Sequence, residues 1–294
     1  MFDFKHDKVA ILSLIVLLLI GGASLMAPWI APYDPYDLSA IDIMDSEIPP
    51  VWDQAGDPRF LLGTDDQGRD LLSTMLYGTR ISLMIGLGAV LLQALLGIAM
   101  GLLAGYFGGR LDTLLMRLAD VQLSFSTLML AIIVLALFQV AFGAALYGEL
   151  ALFMLILVIG IAEWPQYART LRASVLAEKN LEYVDAARVM GYPAWRIMLR
   201  HILPNVASPL LVISTVQVAN AIVSEAALSF LGLGMPAATP SLGSLMSSGF
   251  EYIFSGVWWI TLIPSVLLIA LILSINLLGD WLRDRLNPKR YQGT

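Results

Sequence analysis

Long apolar segments with almost no charge constrain the fold of this chain more than any other feature. A run of about 17 to 25 mostly apolar residues can cross the hydrocarbon core of a bilayer as one helix. Of the 294 residues, 58% are hydrophobic and 14% are charged, whereas a soluble domain carries about 25% charged residues. The sequence therefore predicts an integral membrane protein. Six runs separated by polar breaks are long enough, at residues 9–30, 81–106, 121–141, 150–168, 206–233 and 257–278.

These runs predict an all-α fold of six transmembrane helices. Glu149 is the only charged residue between positions 121 and 162, so charges do not mark the boundary between the third and fourth spans. We therefore divide them at the glycines of "AFGAALYGE". The expected organisation is a tail and first helix (1–31), an external loop (32–80), a five-helix core (81–280) that includes a long cytoplasmic loop (169–205), and a tail (281–294). The chain has no cysteine, which excludes disulfides and thiolate metal sites.

The distribution of lysine and arginine predicts the orientation of the spans. Cytoplasmic loops of membrane proteins are enriched in these two residues. If the amino terminus is inside, all of the 17 except Arg59, Arg69 and Arg80 lie in cytoplasmic segments. Both termini are therefore expected in the cytoplasm, and the acidic external loop accounts for much of the net charge of -6. Residues 1–30 resemble a cleaved signal peptide in part, but their apolar run is longer than a signal core, so we expect a retained first span.

Two motifs typical of ATPases and zinc proteases are absent from the sequence. The phosphate-binding motif G-x-x-x-x-G-K-[ST] and the zinc motif H-E-x-x-H do not occur. The two histidines, His6 and His201, lie outside every predicted span. We expect no catalytic residue, no metal site and no ATP hydrolysis by this chain alone.

Two features within the spans concern packing and polarity. Gly97, Gly101 and Gly105 recur every four residues, which lines small residues along one helix face and lets a neighbouring helix approach closely.

In the fifth span, an ionised Glu225 would cost a few kcal/mol at the bilayer centre unless it faced protein or water. At about 100° per residue, a polar stripe of Gln217, Asn220 and Ser224 has Glu225 at its margin. The stripe lines a solute path, or its side chains bond to neighbouring helices.

A polar segment, "YVDAARVMGYPAWRIMLRHILPN", separates the fourth and fifth spans. The sequence predicts a helix up to Met190, a bend at Gly191 and a second short helix opened by Pro193, whose missing N–H is tolerated in a first turn. Arg196 and Arg200 are four residues apart and would share one face. Arginine, tryptophan and methionine are enriched in interface cores, so the segment is a candidate docking surface. A helix resting on the inner leaflet is the alternative.

Within this segment, "DAARVMGYPAWRIMLRHILP" resembles the EAA motif of the membrane subunits of binding-protein-dependent ABC importers. Asp185, Ala186, Ala187, Gly191 and Pro204 stand at the motif's positions, with aspartate in place of the usual glutamate. In that family the motif docks into the ATPase subunit. The resemblance implies that Asp185, Ala186, Ala187, Gly191, Pro193, Arg196, Arg200 and Pro204 couple this chain to an ATPase.

Two further stretches narrow the resemblance. "LGTDDQGRDLLSTMLYGTRISL" and "EAALSFLGLG" are similar to sequences of the C-type permeases of the dipeptide, oligopeptide and nickel group. The resemblance implies a subunit of the bacterial cytoplasmic membrane with a type I ABC importer fold. Its implied partners are a homologous B-type permease, two ATPase subunits that bind ATP and Mg, an extracytoplasmic solute-binding protein and membrane lipid, but no nucleic acid. The external loop would then face the binding protein, and we predict that Asp65, Arg69 and Asp70 form a charge-paired structure there.

Several functions remain open from the sequence. Peptides are the expected solute and nickel or a nickel chelate is the alternative, because the quoted motifs are specific for the group and not for a solute. A self-sufficient channel or secondary transporter would need paired charges within the membrane or an internal repeat. Glu225 is taken to stand alone, and no repeat is evident, so this class is disfavoured. An intramembrane enzyme lacks a base and nucleophile pair.

Overall fold

The computed structural model describes residues 7–37 and 41–286, and the regular structure among them is helical, as predicted. Within these ranges the only β-type pairing is an isolated bridge between Thr64 and Asp70. The α-helices, in chain order, are α1 (Lys8–Leu25), α2 (Ala27–Ile30), α3 (Leu71–Phe107), α4 (Gly109–Leu123), α5 (Thr127–Phe142), α6 (Ala144–Glu178), α7 (Glu182–Val189), α8 (Ala194–Arg196), α9 (Ala207–Phe230), α10 (Leu242–Phe250) and α11 (Trp259–Leu286).

Five of the described helices are long and apolar enough to cross a membrane: α1, α3, α6, α9 and α11. They correspond to the first, second, fourth, fifth and sixth predicted spans. α3 begins at Leu71, well before the predicted start at Ile81, because the carboxylate of Asp70 caps it by accepting from the N–H of Ser73 at 2.8 Å. A side-chain cap of this kind satisfies an otherwise unpaired donor of the first turn.

The third predicted span, residues 121–141, is wrong in its extent. α5 has 16 residues and α4 meets it at a bend of 83°, so residues 121–123 belong to a different helix. α4 carries two arginines and two aspartates within 15 residues, a composition that favours a surface over the hydrocarbon core. A 16-residue helix rises about 24 Å, less than the roughly 30 Å of a bilayer core. The described residues therefore contain five spans, or six if the bent pair is one span.

The packing of α3 against α6 forms the centre of the molecule. The glycine stripe of α3 faces α6 as predicted. A β-carbon added at Gly101 would lie 2.8 Å from the carbonyl oxygen of Ala168, and one at Gly105 would lie 2.7 Å from the β-carbon of Val175. Because such distances are shorter than van der Waals contact, only glycine allows the two backbones to approach this closely.

A second core surrounds α10, which packs between α9 and α11. Leu242 and Leu245 of α10 are buried with Ile222 of α9 and Ile260 of α11. Ser241 caps α10, since its hydroxyl accepts from the N–H of Ser244 at 3.2 Å. This short helix lies at the same end of α9 as the start of α3, because Leu71 belongs to the same core.

Candidate functional site

The loop between α6 and α9 (residues 179–206, hereafter the α6–α9 loop) has most of the local structure predicted for it. α7 ends at Val189, Gly191 turns the chain with a φ of 76°, and Pro193 lies at the N-cap position of α8, one residue before the predicted first turn. The second helix differs from the prediction: α8 is a single turn, and Ile197–Ile202 continues it as a π-helix. π-helical turns occur mostly as short insertions, often at functional positions.

The α6–α9 loop presents an apolar surface outward while other apolar residues anchor it. Val189 is 89% exposed and Trp195 is 62% exposed. Val184, Ala187 and Ile202 are buried in the main core. Val189, Met190 and Trp195 are thus large apolar side chains left exposed within one short segment, and exposed apolar area of this kind can mark a contact with protein or membrane.

The polar residues predicted for coupling lie on the outside of the loop. Asp185 is exposed and pairs with Arg188 at 2.8 Å. Arg196 stacks over the ring of Tyr192, with its guanidinium carbon 4.7 Å from the centroid. Arg200 is exposed and forms no ion pair with the residues that the structure describes. Of the remaining predicted residues, Ala187 is buried, whereas Ala186, Gly191, Pro193 and Pro204 are exposed.

A tyrosine ties the two ends of the α6–α9 loop together. The hydroxyl of Tyr183 donates to Glu178 at the end of α6, at 2.7 Å. It accepts from the side-chain amide of Asn205, just before α9, at 2.9 Å. Movement of α7 would therefore be transmitted to both α6 and α9.

A cavity of about 850 Å³ opens between α6, α9 and α11. Gln217 and Asn220, two members of the predicted polar stripe, line it together with Gln166 of α6. Ser224 and Glu225 are not among its lining residues. Two of the three stripe residues therefore face this space, and Ser224 and the marginal Glu225 do not. Its remaining polar lining is Thr170, Ser174, Glu178, Asn205, Ser208, Asp280 and Arg283.

The lining amides belong to a hydrogen-bonded network that the sequence does not predict, and it includes Glu163 and Gln93. Glu163 of α6 accepts from the hydroxyl of Thr127 at 2.5 Å and from the side-chain amide of Gln166 at 2.8 Å. Gln217 donates to Gln93 of α3 at 3.3 Å and accepts from Asn220 at 2.9 Å. The expectation that Glu225 is the lone carboxylate within the spans is therefore wrong. The sequence alone shows this second carboxylate, because Glu163 lies inside the predicted fourth span.

Glu225 is fully buried in a cluster of serines, away from the cavity. Its carboxylate accepts from the hydroxyls of Ser229 at 2.7 Å, Ser241 at 2.6 Å and Ser82 at 3.1 Å. These serines belong to α9, the cap of α10, and α3. Of the two alternatives stated for this residue, bonding to neighbouring helices describes its surroundings. Hydroxyl donors on three sides offset the cost of burying the carboxylate.

The loop between α2 and α3 (residues 31–70, of which 31–37 and 41–70 are described; hereafter the α2–α3 loop) contains the predicted charge pair, though with two members instead of three. Asp65 and Arg69 join at 2.6 Å with side chains that are 0% and 3% exposed. Arg69 also donates to the carbonyl of Ala237 at 2.8 Å, which fastens this loop to the segment between α9 and α10. Burial raises the pKa of the Asp65 carboxyl, and the guanidinium of Arg69 opposes that shift. Asp70 caps α3 instead of joining the pair.

Residues 7–37 and 41–286 contain no group of three or more histidine, cysteine, aspartate or glutamate side chains that could hold a metal ion. Amides, hydroxyls and isolated carboxylates line the cavity instead. Such groups can hydrogen-bond a polar solute, since amides offer both donors and acceptors.

Comparison with known proteins places this arrangement among transport components. Residues 97–291 match the family described as binding-protein-dependent transport system inner membrane component, and residues 1–50 match the N-terminal TM domain of oligopeptide transport permease C. The chain is 40% identical to the dipeptide transport system permease protein DppC of Haemophilus influenzae over 99% of this chain and 94% of that protein. It is 41% identical to the di/tripeptide transport system permease protein DppC of Pseudomonas aeruginosa over 98% of this chain and 90% of that protein.

A solved structure has the same fold. A chain from inward-facing conformations of the MetNI methionine ABC transporter superposes with a TM-score of 0.57 at 18% identity, covering 74% of this chain and 98% of that one. At this identity the likeness concerns the fold alone.

Proposed function

The chain belongs to the family of binding-protein-dependent transport system inner membrane components, and from that premise we propose that it forms part of the path by which an ATP-driven importer takes up di- and oligopeptides. The observation that carries the proposal is the near-complete alignment, at about 40% identity, with permeases named for dipeptide and di/tripeptide transport. A match over 98% or more of the chain extends to the loops, where transport partners and solutes are contacted.

The lining of the cavity supports peptides over nickel. Gln166, Gln217 and Asn220 present amide groups to a space of about 850 Å³, which is within the usual size of small-molecule pockets. A peptide backbone offers the complementary amide donors and acceptors. Nickel binding would favour imidazole or thiolate ligands, and the cavity lining contains neither. A nickel chelate is the second candidate, since the ligands could then come from the chelator.

The α6–α9 loop supplies the coupling surface in this proposal. An ATPase subunit would cover Val189 and Trp195 and contact the exposed Arg200. ATP and Mg would be bound by two such subunits and not by this chain. Movement of α7 would reach α6 and α9 through Tyr183, and would thereby change the width of the cavity between them. A homologous second permease would complete the path on the side of the cavity that this chain leaves open.

The α2–α3 loop would face the solute-binding protein. Asp65 and Arg69 hold its shape from within, and the exposed carboxylates of the loop give it a negative surface that can steer a basic partner. This assignment places the loop outside the cell, with both termini and the α6–α9 loop in the cytoplasm of a bacterium.

Two experiments test the proposal. Mild solubilisation and affinity purification of the chain should recover a homologous permease, one or two ATPases and a binding protein, identified by mass spectrometry. Cells that depend on this importer should take up a radiolabelled dipeptide, and deletion of the chain should abolish that uptake. Uptake of labelled nickel that is lost on deletion, with dipeptide uptake unchanged, would favour the second candidate. A chain purified alone that moves solute without ATP would contradict both.

A further inference from the structure

Helix α4 is clamped to α6 by its carboxylates. Asp112 accepts from Arg172 at 2.5 and 2.7 Å, and Asp120 accepts from Arg169 at 2.5 Å. Ala119 of α4 is fully buried against Trp164 and Ala168 of α6. One face of α4 is thus occupied, and both of its acidic side chains are engaged with α6.

The opposite face of α4 carries arginines that have no such partner. Arg110 and Arg117 are exposed and form no ion pair with any residue in the described ranges. They are seven residues apart, so at about 100° per residue their directions differ by about 20°. Both line an open groove of about 540 Å³ together with Gly109, Thr113 and Leu114.

Beside the arginines runs an apolar strip on the same exposed side. Its members, all exposed, lie about 20 to 100° around the helix from Arg110 and are Leu111, Leu114, Leu118 and Val121. A helix with adjacent basic and apolar strips suits the boundary between lipid headgroups and acyl chains. The leucines would enter the acyl region while the arginines extend along it to the headgroups.

The bend places α4 where this boundary would be. α4 meets α5 at 83°, so if α5 runs into the bilayer, α4 lies nearly in the membrane plane. The left-handed glycines Gly108 and Gly109, with φ values of 67° and 59°, turn the chain out of α3 into this direction. In the proposed orientation α4 is on the cytoplasmic side, where anionic lipids attract basic residues.

We propose that the Arg110–Arg117 face of α4 is a binding site for the headgroup of an anionic phospholipid. The inference rests on the orientation in the proposed function, but not on the identity of the solute. Charge complementarity indicates the ligand. Both carboxylates of α4 pair with α6, whereas its two exposed guanidinium groups lie beside an apolar strip. Guanidinium groups can bind a phosphate while the apolar strip contacts the acyl chains of the same lipid. A protein partner or a free anion would use only part of this surface.

The test measures lipid affinity of the full chain, with the subunits that accompany it, in micelles of a neutral detergent. Phosphatidylglycerol is titrated and its retention followed by native mass spectrometry, with phosphatidylcholine as the neutral comparison. Each arginine near an anionic surface contributes about 1 kcal/mol, which is about fivefold in affinity. Arg110→Gln and Arg117→Gln should each weaken phosphatidylglycerol binding about fivefold, and the double variant about 25-fold.

Matched variants separate a specific site from general effects. Lys8→Gln removes one positive charge at the exposed start of α1, on the same side of the molecule in the proposed orientation, and should change the affinity less than twofold. The double variant Arg110→Lys with Arg117→Lys keeps both positive charges and should retain most of the affinity. That result would show that the glutamine variants lose affinity through lost charge and not through misfolding. Salt at 1 M, where the Debye length is about 3 Å, should weaken binding to the native chain.

Three outcomes would overturn the proposal. Equal phosphatidylglycerol affinity in the native chain and the double glutamine variant would exclude these arginines. Displacement of the lipid by millimolar inorganic phosphate would indicate a free-anion site, and crosslinking of Thr113→Cys to the second permease would indicate a protein contact. Because no solute is involved, failure of peptide uptake would contradict the proposed function and leave this result unaffected.

Discussion

Two arginines of the α2–α3 loop pair with aspartates in opposite environments. Arg69 and Asp65 are almost fully buried at 2.6 Å, whereas Arg59 is 54% exposed and meets Asp45 at 2.8 Å. The contact distances are similar, so burial and not geometry separates the two pairs. Removing one partner of a buried pair leaves an uncompensated charge, while an exposed pair exchanges its partner for water.

We expect Arg69→Ala to lower the free energy of unfolding by about 3–5 kcal/mol, and Arg59→Ala to lower it much less, because the exposed Arg59 pair is screened by water. Denaturant titration of the purified chain in detergent measures both. Arg69→Ala should also weaken coupling to the binding protein, since Arg69 fastens the loop to Ala237. Equal stability of the two variants, or full transport with unchanged binding-protein affinity, would argue against the role of this pair.

Glu225 depends on three hydroxyl donors for its burial. Replacing Glu225 with leucine leaves the hydroxyls of Ser82, Ser229 and Ser241 without their acceptor, at about 1–3 kcal/mol for an unsatisfied buried group. We expect a loss of stability of at least that size, visible as a lower thermal midpoint. Ser224→Ala, one position away and outside this cluster, should change the midpoint little. A stable leucine variant would mean that the cluster is dispensable.

At the scale of helices, the glycine stripe of α3 determines how closely α3 and α6 pack. Gly101→Val would place atoms within 3 Å of the Ala168 backbone, and overpacking of this kind costs about 1–3 kcal/mol or more. The expected result is a lower thermal midpoint or loss of the folded chain from the membrane. Gly22→Val in α1 is the control, because nothing lies within 4 Å of a β-carbon there. Equal tolerance of both substitutions would contradict close packing.

At the same scale, the α6–α9 loop turns at Gly191. Gly191 has a φ of 76° and open space around it, so a side chain there strains the backbone without a clash. We expect Gly191→Asp, and likewise Arg200→Glu, to leave the chain inserted but to uncouple ATP hydrolysis from uptake in the reconstituted importer.

Gly256 provides the matched control for the bend. It has a φ of 93° and similarly open surroundings, but it lies between α10 and α11. Gly256→Asp should therefore carry comparable backbone strain and leave coupling intact. Normal coupled uptake in Gly191→Asp and Arg200→Glu would remove the docking role of the loop.

At the scale of the whole molecule, the orientation in the membrane can be tested directly, because the chain has no native cysteine. Single cysteines at exposed positions should react with a membrane-impermeant maleimide according to side. Ala55→Cys and Ala141→Cys should react in intact cells, whereas Thr113→Cys and Ala186→Cys should react only after permeabilisation. Reaction of positions 113 and 141 from one side would mean that α5 does not cross the bilayer.

The sequence predicts much of the architecture because its strongest signals are local. Apolar length alone predicts five of the six spans approximately, and Gly191 and Pro193 predict the bend of the α6–α9 loop. The third span is wrong in its extent because the apolar run continues across the junction of α4 and α5, around Val121 and Leu123. Their separation depends on the charges of α4 meeting Arg169 and Arg172 of α6.

The environment of the polar residues within the spans could not be read from the chain. Glu163 and Glu225 are both carboxylates in apolar runs, yet one lies behind the cavity lining and the other is enclosed by serines. Their partners lie on other elements: Ser82 is 143 residues from Glu225, and Thr127 is 36 residues from Glu163. Membrane insertion and turns follow from neighbouring residues, because hydrocarbon length and backbone torsion act locally. Helix packing leaves Glu163 partly exposed and encloses Glu225 completely, and it decides the stability of both because the cost of a buried charge depends on what surrounds it in space.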